Sequence, residues 1–257
     1  MEQLALWFEE WAPLAKTGGS LNFLQNLFVK FYQAFIYADR WQQYLDGVGT
    51  TLMATALALV MGVVLGVTVA VVRTAHDQQR PGHRNPVLGF CNTVVKVYVT
   101  VIRGTPMMLQ LLIWAFVVFK SRNYTAVGIF GLGINSGAYV SEIIRGGLMA
   151  VDGGQAEAGR SLGLNYFDTM RLIVIPQAVK AILPALGNEF IILLKDTSLL
   201  TVIGGKELLY AAQGIASRTY EQMFPLVGSA CIYLVLVMLF TWLLGKLERR
   251  LRQSDRR

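Results

Sequence analysis

Residues 154–176 read GQAEAGRSLGLNYFDTMRLIVIP, a polar stretch that lies between long apolar segments. Small residues dominate its first half and predict a short helix that breaks at Gly163, because glycine accepts a positive φ without steric cost. Asn165, with Asp168 three residues later, is a variant of the capping box and predicts the start of a second helix. We expect this second helix to end near Pro176, which lacks an N–H and disfavours helical geometry in the residue before it.

The spacing of this stretch resembles the cytoplasmic signature of permeases of ATP-binding-cassette importers: EAA, three residues, G, nine residues, I, one residue, LP. The matching residues are Glu157-Ala158-Gly159, Gly163, Ile173 and Ile175-Pro176. Gly159 replaces the second alanine of the signature, and Ile175 replaces its leucine. The resemblance implies that the paired helices form a coupling element that docks into a cleft on the ATPase subunit. An ordinary polar loop between two membrane helices is the alternative.

The composition is that of an integral membrane protein. Hydrophobic residues make up 54% of the 257 residues and charged residues only 15%, whereas soluble domains carry about 25% charged residues. The net charge of +7 comes from basic loops and a basic C-terminal tail, a distribution that reports topology and anionic lipid rather than nucleic acid. Cys91 and Cys231 make no disulfide framework, and His76 and His83 have no cluster of metal ligands beside them.

The sequence contains neither a catalytic triad nor a nucleotide site. The fragment Gly204-Gly205-Lys206 comes nearest to a phosphate-binding loop, but Glu207 follows where Ser or Thr is needed, and Leu200 occupies the position of the first glycine. We therefore expect no enzyme activity and no cofactor in this chain. ATP and Mg²⁺ would act on a separate ATPase subunit.

Five apolar segments are long enough to cross a bilayer, for which about 20 apolar residues suffice. The first contains no charge, and its Gly62 and Gly66 form a small-xxx-small pair that permits close helix packing. The second is too long to span without tilt, so we expect a bend at Pro106 and a crossing mostly after residue 97. The predicted spans are residues 47–72, 87–119, 123–141, 181–203 and 222–245.

The fold class that these segments predict is all-α and integral to the membrane, and the resemblance implies the type I importer permease fold. Residues 1–46 form an extracytoplasmic or interfacial segment. Residues 47–245 form the permease domain, with its coupling loop at 146–176, and residues 246–257 form a basic cytoplasmic tail. Apolar side chains at helical spacing over residues 21–37 favour an amphipathic helix in the membrane interface. A sixth span over the same residues is the alternative.

The charge distribution predicts the orientation. The linker at 73–86, the signature loop and the tail are basic, and five spans place all three on one side of the membrane. By the positive-inside rule this side is the cytoplasm, so the N-terminus lies outside and the C-terminus inside. Residues 1–46 hold five acids and three bases, which suits the outside.

Three further blocks narrow the resemblance to permeases of polar amino acid importers. They are Arg103-Gly104-Thr105-Pro106 with Leu109-Gln110-Leu111, then Asn135-Ser136-Gly137-Ala138-Tyr139 with Ser141-Glu142 and Arg145-Gly146-Gly147, and finally Asn188-Glu189-Phe190 with residues 194–199. The resemblance implies a dimer of identical or sibling permeases, two ATPase subunits, an extracytoplasmic substrate-binding protein, and transport by alternating access. The alternatives are an importer of the same architecture for another solute, such as methionine, and an ion-coupled secondary transporter. The latter is less favoured because the sequence shows no internal repeat.

Ionisable groups within membrane segments are costly and usually face a bundle interior or a water pathway. Glu189, Lys195 and Asp196 fit that description, although a neutralised Lys195–Asp196 pair that joins two helices explains the last two equally well. An amino acid in the membrane needs partners for both of its charges, because unpaired polar groups in a low dielectric cost several kcal/mol. The candidate substrate-pathway residues are Arg103, Asn135, Ser136, Tyr139, Glu142, Glu189, Lys195 and Asp196.

Asn135, Tyr139 and Glu142 lie on one helical face, and either Glu142 or Glu189 would accept the substrate ammonium. Hydrogen bonding between helices is the alternative for each of these residues, and packing against lipid headgroups is the alternative for Arg103. The candidate ATPase-coupling residues are Gln155, Glu157, Ala158, Gly159, Gly163 and Pro176. Among them, we expect Gln155 only to help cap or dock the signature helix.

Overall fold

The structure is a computed structural model that describes residues 2–17, 21–79 and 85–254. All regular elements in these ranges are helical. The α-helices are α1 (Glu2–Thr17), α2 (Phe23–Phe35), α3 (Arg40–Asp77), α4 (Pro86–Gly104), α5 (Met107–Leu112), α6 (Tyr124–Met149), α7 (Gly153–Ser161), α8 (Tyr166–Thr169), α9 (Ile175–Asp196), α10 (Leu208–Thr219) and α11 (Met223–Ser254). Tighter 3-10 turns occupy Tyr37–Asp39 and Thr197–Ile203, and wider π turns occupy Ile113–Phe119 and Met170–Val174.

The helices divide into two compact units. The first consists of Met1–Thr51 and Lys206–Leu236, and the second of Leu52–Gly205 and Val237–Arg257. In the first unit, α1 and α2 pair through aromatic rings, and Phe8 of α1 stacks on Tyr32 of α2 with 4.7 Å between ring centroids. A cluster of buried side chains joins the start of α3 to α10: Tyr44, Leu208, Ala212 and Ile215. Sequence analysis did not predict α1.

In the second unit, α6 lies at the centre and packs against α4, α5 and α9. The α3 helix shows the pattern of a membrane helix, since Ala54 and Ala58 are fully buried whereas Val60, Val64 and Val71 are exposed. A helix that is apolar on its exposed side as well as its buried side suits a lipid environment. This unit contains the signature loop and all of the candidate substrate-pathway residues.

Five helical segments of the described residues are long and apolar enough to cross a membrane, as the sequence predicts. They are Tyr37–Asp77, Pro86–Gly104, Tyr124–Met149, Tyr166–Ile203 and Met223–Leu251. The predicted amphipathic helix is present as α2, where Phe23 and Leu24 are exposed. At 1.5 Å per residue, α2 is roughly 20 Å long, shorter than a hydrocarbon core of about 30 Å.

The second span differs from the expectation of one bent helix. Thr105 and Pro106 both have extended backbone conformations, so the chain breaks completely between α4 and α5. The helix long enough to cross is Pro86–Gly104, whereas the expectation placed the crossing mostly after residue 97. Thr105 precedes a proline, whose ring disfavours helical geometry in that position, and this explains the break.

The second signature helix does not end near Pro176, and that prediction was wrong. The helix continues from Tyr166 to Ile203, with a π turn at Met170–Val174 directly before the proline. Proline, which has no N–H, is tolerated in the first turn of a helical segment because an N–H there would have no partner within the helix. Here Pro176 occupies the first turn of α9, and the wider π turn leads into that position.

Two basic segments extend beyond the described residues. In the predicted linker at 73–86, α3 continues to Asp77, and Arg80, Pro81, His83 and Arg84 lie outside the described residues. The predicted tail at 246–257 is helical as far as Ser254, and residues 255–257 lie outside the described residues.

Candidate functional site

The signature loop is closed by two hydrogen-bonded caps. Asp152 caps α7 by accepting a hydrogen bond of 2.6 Å from the N–H of Gly154. At the other end Gly163 has φ +80, its N–H donates to the Arg160 carbonyl at 2.9 Å, and the N–H of Leu164 donates to the Gly159 carbonyl at 3.1 Å. This pair of bonds is a Schellman motif, in which a left-handed glycine ends the helix. The predicted break at Gly163 is therefore confirmed.

The predicted cap of the second helix is also present. The Asn165 side-chain oxygen accepts a hydrogen bond of 2.9 Å from the N–H of Asp168. The Asp168 carboxylate in turn accepts a bond of 2.6 Å from the Asn165 amide group. In a full capping box this second bond comes from the main-chain N–H of the cap residue, so the contact here is a variant of that motif.

The first signature helix rests closely on the second. Gly159 is buried, and a Cβ atom on it would lie 2.9 Å from Ile173 Cδ1 and 3.0 Å from Thr169 Cγ2. The Gln155 side-chain oxygen accepts a hydrogen bond of 3.2 Å from the Gln177 amide. A small residue at position 159 therefore lets α7 contact the π turn that leads into α9.

The tip of the loop exposes apolar side chains. Leu162 is 81% exposed, and Tyr166 and Phe167 beside it are also exposed. Glu157 and Ala158 of the signature are exposed on α7. An exposed apolar group surrounded by polar residues is typical of a protein-binding surface. The loop tip is therefore an exposed apolar surface next to polar side chains of α7.

A buried polar pair lies where α6 meets α9. The Ser136 hydroxyl donates a hydrogen bond of 2.8 Å to Glu189 Oε1; Ser136 is fully buried and Glu189 is 6% exposed. A Cβ atom on Gly62 of α3 would lie 2.6 Å from Ser136 Oγ, so α3 approaches the pair closely. Of the predicted pathway residues, these two are joined directly by a side-chain hydrogen bond.

Gln110 organises the polar contacts around the break between α4 and α5. Its amide nitrogen lies 2.7 Å from the Ile102 carbonyl and 3.1 Å from the Thr105 carbonyl, both near the end of α4. Its oxygen accepts a hydrogen bond of 3.1 Å from the Asn135 amide. Sequence analysis did not select Gln110 as a site residue, although a lone Gln following Pro106 in an apolar helix was a usable signal.

Of the remaining pathway residues, Arg103 and Tyr139 contact each other, whereas Lys195 and Asp196 form no ion pair among the described residues. The Arg103 guanidinium lies over the Tyr139 ring, with 5.2 Å between Cζ and the ring centroid, a cation–π contact. Lys195 is exposed and Asp196 is half-buried, and within the described ranges no ion pair joins the two. The predicted pair is therefore not a salt bridge in this structure.

Glu142 is engaged by two arginines. Arg73 donates to one of its carboxylate oxygens, and Arg145 donates to the other at 3.1 and 3.2 Å. Arg73 ends the uncharged segment of α3, and sequence analysis used it only as a boundary. Glu142 therefore belongs to a charge network, whereas Glu189 has no basic partner in the ranges that the structure describes.

The chain is similar in sequence and in structure to known transport proteins. Residues 87–253 match the family described as "Binding-protein-dependent transport system inner membrane component". The putative glutamine transport system permease protein GlnP of Rickettsia bellii is 35% identical over 80% of this chain and 91% of its own length. The arginine transport system permease protein ArtQ of Bacillus subtilis is 34% identical over 82% of this chain and 93% of its own length. The crystal structure of an amino acid ABC transporter with histidines matches with a TM-score of 0.74 and 37% identity, covering 90% of this chain and 99% of that chain.

The chain belongs to the family of inner-membrane components of binding-protein-dependent transport systems. It is a multi-pass permease subunit of an ATP-binding-cassette importer, with the all-α fold that the sequence predicts. The resemblance noted from the signature and the three further blocks is confirmed.

Proposed function

We propose that this permease moves a polar amino acid into the cell by alternating access, driven by an ATPase subunit that binds its signature loop. The observation that carries the mechanism is the continuous helical segment Tyr166–Ile203, which begins in the second half of the exposed signature loop and includes the buried Glu189. Tyr166 and Glu189 are roughly 35 Å apart along it, at 1.5 Å per residue. A displacement of the loop would therefore be transmitted mechanically to the polar pair.

The substrate class follows from the relatives and from the chemistry of the site. Glutamine and arginine both carry an α-ammonium, an α-carboxylate and a long polar side chain. A site for such a molecule needs an acceptor for the ammonium and donors for the carboxylate. We assign the acceptor to Glu189 and donors to Asn135 and Tyr139. Glu142 is less suitable because two arginines already neutralise it.

The energy source and the orientation belong to the same proposal. ATP and Mg²⁺ act on the ATPase subunit, and this chain contributes no catalytic group. The loop tip with Leu162 and Phe167 enters the ATPase cleft, while Glu157 and Gln155 orient α7. The loop and the C-terminus face the cytoplasm, and the N-terminus faces the extracytoplasmic binding protein, by the positive-inside rule. A second permease, identical or sibling, completes the translocation pathway.

A same-architecture importer for a less polar solute such as methionine is the competing function. The matched relatives named for glutamine and arginine favour a polar side chain. Proteoliposomes that contain the permease, its ATPase and its binding protein test the proposal. We expect ATP-dependent uptake of labelled glutamine or arginine and no competition by excess methionine. Uptake of methionine without uptake of either polar amino acid would overturn the proposal.

A further inference from the structure

Arg40, in the first unit, is a buried cation that has no carboxylate partner among the described residues. It begins α3 and is only 9% exposed. Its guanidinium donates to the main-chain carbonyl of Gln33, and its Cζ atom lies 5.3 Å from the centroid of the Tyr37 ring. In the part of the chain that the structure describes, no ion pair involves Arg40. Because a buried, uncompensated charge is costly, this arrangement suggests that a counter-ion binds here.

A second arginine lies beside the first. Arg218, exposed near the end of α10, donates to the side chain of Gln43 and to the Gly214 carbonyl at 2.9 Å. Gln43 follows Arg40 by three residues on α3, so both lie on one helical face. Among residues 2–17, 21–79 and 85–254, no ion pair involves Arg218 either.

Three acidic residues of this unit contact groups other than the two arginines. Glu221 pairs with Lys30 at 2.9 Å, and Asp39 accepts a hydrogen bond of 3.3 Å from the Trp41 indole. Glu207 accepts the first N–H groups of α10. Among the described residues, Lys30 is therefore paired with Glu221, whereas neither arginine is paired with a carboxylate.

Tyr44 supplies an independent indication of a ligand. It follows Arg40 by four residues on the same face of α3 and is 3% exposed. Its hydroxyl is buried and has no hydrogen-bond partner among the described residues. Because buried hydroxyl groups are nearly always hydrogen-bonded, an unpaired one beside a buried cation marks a place for an acceptor.

The backbone that places Arg40 is strained. Ala38 and Asp39, directly before it, have φ of 54 and 53, left-handed values that residues other than glycine rarely adopt. This kink turns the chain between α2 and α3 and sets Arg40 under the last turn of α2, where Gln33 accepts its hydrogen bond. Strain of this kind persists where the surrounding structure imposes it, and it clusters at functional sites.

We infer that Arg40, Arg218 and Tyr44 form a binding site for a carboxylate group. A guanidinium binds a carboxylate with two parallel hydrogen bonds, and the Tyr44 hydroxyl is a further donor. The inference rests on the proposed function for the source of the carboxylate, which is either an acidic side chain of the binding protein or the α-carboxylate of the amino acid. Both sources would approach from the side that we propose is extracytoplasmic.

The test uses the complete permease–ATPase complex in nanodiscs, as wild type and as Arg40→Gln, Arg218→Gln and Tyr44→Phe. Lys30→Gln is the matched control, since it removes a cation that already has a partner. Two dissociation constants are measured for each: that of the purified binding protein, and that of labelled glutamine or arginine without it. We expect Arg40→Gln and Arg218→Gln to raise one of these two dissociation constants by about tenfold. Tyr44→Phe should raise the same constant by about threefold.

A weaker affinity for the binding protein alone identifies an acidic side chain as the source, and a weaker affinity for the free amino acid identifies the substrate. If both dissociation constants stay within about twofold of wild type in Arg218→Gln and Tyr44→Phe, the site is overturned. The test remains decisive even if Arg40→Gln fails to assemble. Arg218→Gln and Tyr44→Phe should both assemble, because Arg218 is exposed and phenylalanine keeps the aromatic ring of Tyr44. An equal loss in Lys30→Gln also overturns the site. A wild-type complex that binds its binding protein but imports neither amino acid would overturn the proposed function. The dissociation constants of the variants could still be compared with those of the wild type.

Discussion

Ser136 and Glu189 are hydrogen-bonded at 2.8 Å across the contact between α6 and α9, in the interior of the second unit. Both residues are buried, and within the described part of the chain no basic side chain bonds Glu189. A carboxylate that lies among membrane helices and keeps free acceptor sites is suited to receive an ammonium group. It lies on the same continuous helical segment as the signature loop.

We expect replacement of Glu189 by Ala to lower substrate uptake at least about tenfold, because the substrate ammonium loses its acceptor. Replacement of Asn135 by Ala should lower uptake less, because it removes one neutral donor. Assembly and basal ATPase activity should persist in both variants. Asn188→Ala is the matched control, since Asn188 is the exposed neighbour of Glu189. Normal uptake in both test variants would mean that these residues only pack helices.

Gly163 should be intolerant of ordinary side chains for a conformational reason. Its surroundings are open, with no atom within 4 Å of a built Cβ, but its φ of +80 is disfavoured for L residues by about 1–2 kcal/mol. We predict that Gly163→Leu inserts into the membrane normally but loses transport and co-purification with the ATPase. Gly163→Asn should retain most of both, because asparagine tolerates left-handed geometry. Equal loss in the two variants would indicate that the ATPase cleft excludes any side chain at this position.

Gly62 should be intolerant for a steric reason. A Cβ atom there would lie 2.6 Å from Ser136 Oγ, so Gly62→Ala forces α3 away from α6. We expect a loss of about 1–3 kcal/mol in stability, measured as a lower temperature of aggregation in detergent. Gly49→Ala is the control, because Gly49 lies in the same helix with open space around it. A normal aggregation temperature for Gly62→Ala would contradict the close approach of the two helices.

The sequence predicted the features that local chemistry determines. The length of the apolar segments defined the five spans, and the caps at Gly163 and Asn165 followed from residues within one turn of each other. The rule that a proline ends a helix gave a wrong prediction at Pro176, because the helix continues through a π turn and past the proline. Side-chain partners were harder to predict. Ser136 and Glu189 stood out as polar groups in apolar segments, but their pairing depends on how α6 packs against α9.

The orientation of the chain can be tested with reporters. Positive-inside counting predicts that a reporter fused after Arg257 and one inserted after Gln79 are both cytoplasmic. A reporter inserted at Tyr220, an exposed residue between α10 and α11, should be extracytoplasmic. An extracytoplasmic reporter at Gln79 would overturn the five-span orientation. Insertion at Tyr220 is preferable to insertion within α10, because it leaves the helix intact.

The charge network of Glu142 supports a further prediction about stability. Glu142 accepts hydrogen bonds from Arg73 of α3 and Arg145 of its own helix, and the buried Arg73 Nε has no hydrogen-bond partner among the described residues. Glu142→Gln would leave two cations facing a neutral group. Breaking a fully buried ion pair costs about 3–5 kcal/mol, and the partial exposure of this network reduces the expected loss to about 2 kcal/mol.

The network is best dissected with a double-mutant cycle between Arg73 and Glu142. Removing both charges with Arg73→Gln and Glu142→Gln should cost less than the sum of the single changes, because neither charge is then left alone. Arg145→Gln should cost about 1 kcal/mol or less, since that side chain is 39% exposed. The measurement is thermal unfolding of the assembled complex in nanodiscs. Additive losses in the cycle would show that Arg73 and Glu142 act independently, and the ion pair would then not be what holds α3 to α6 at this point.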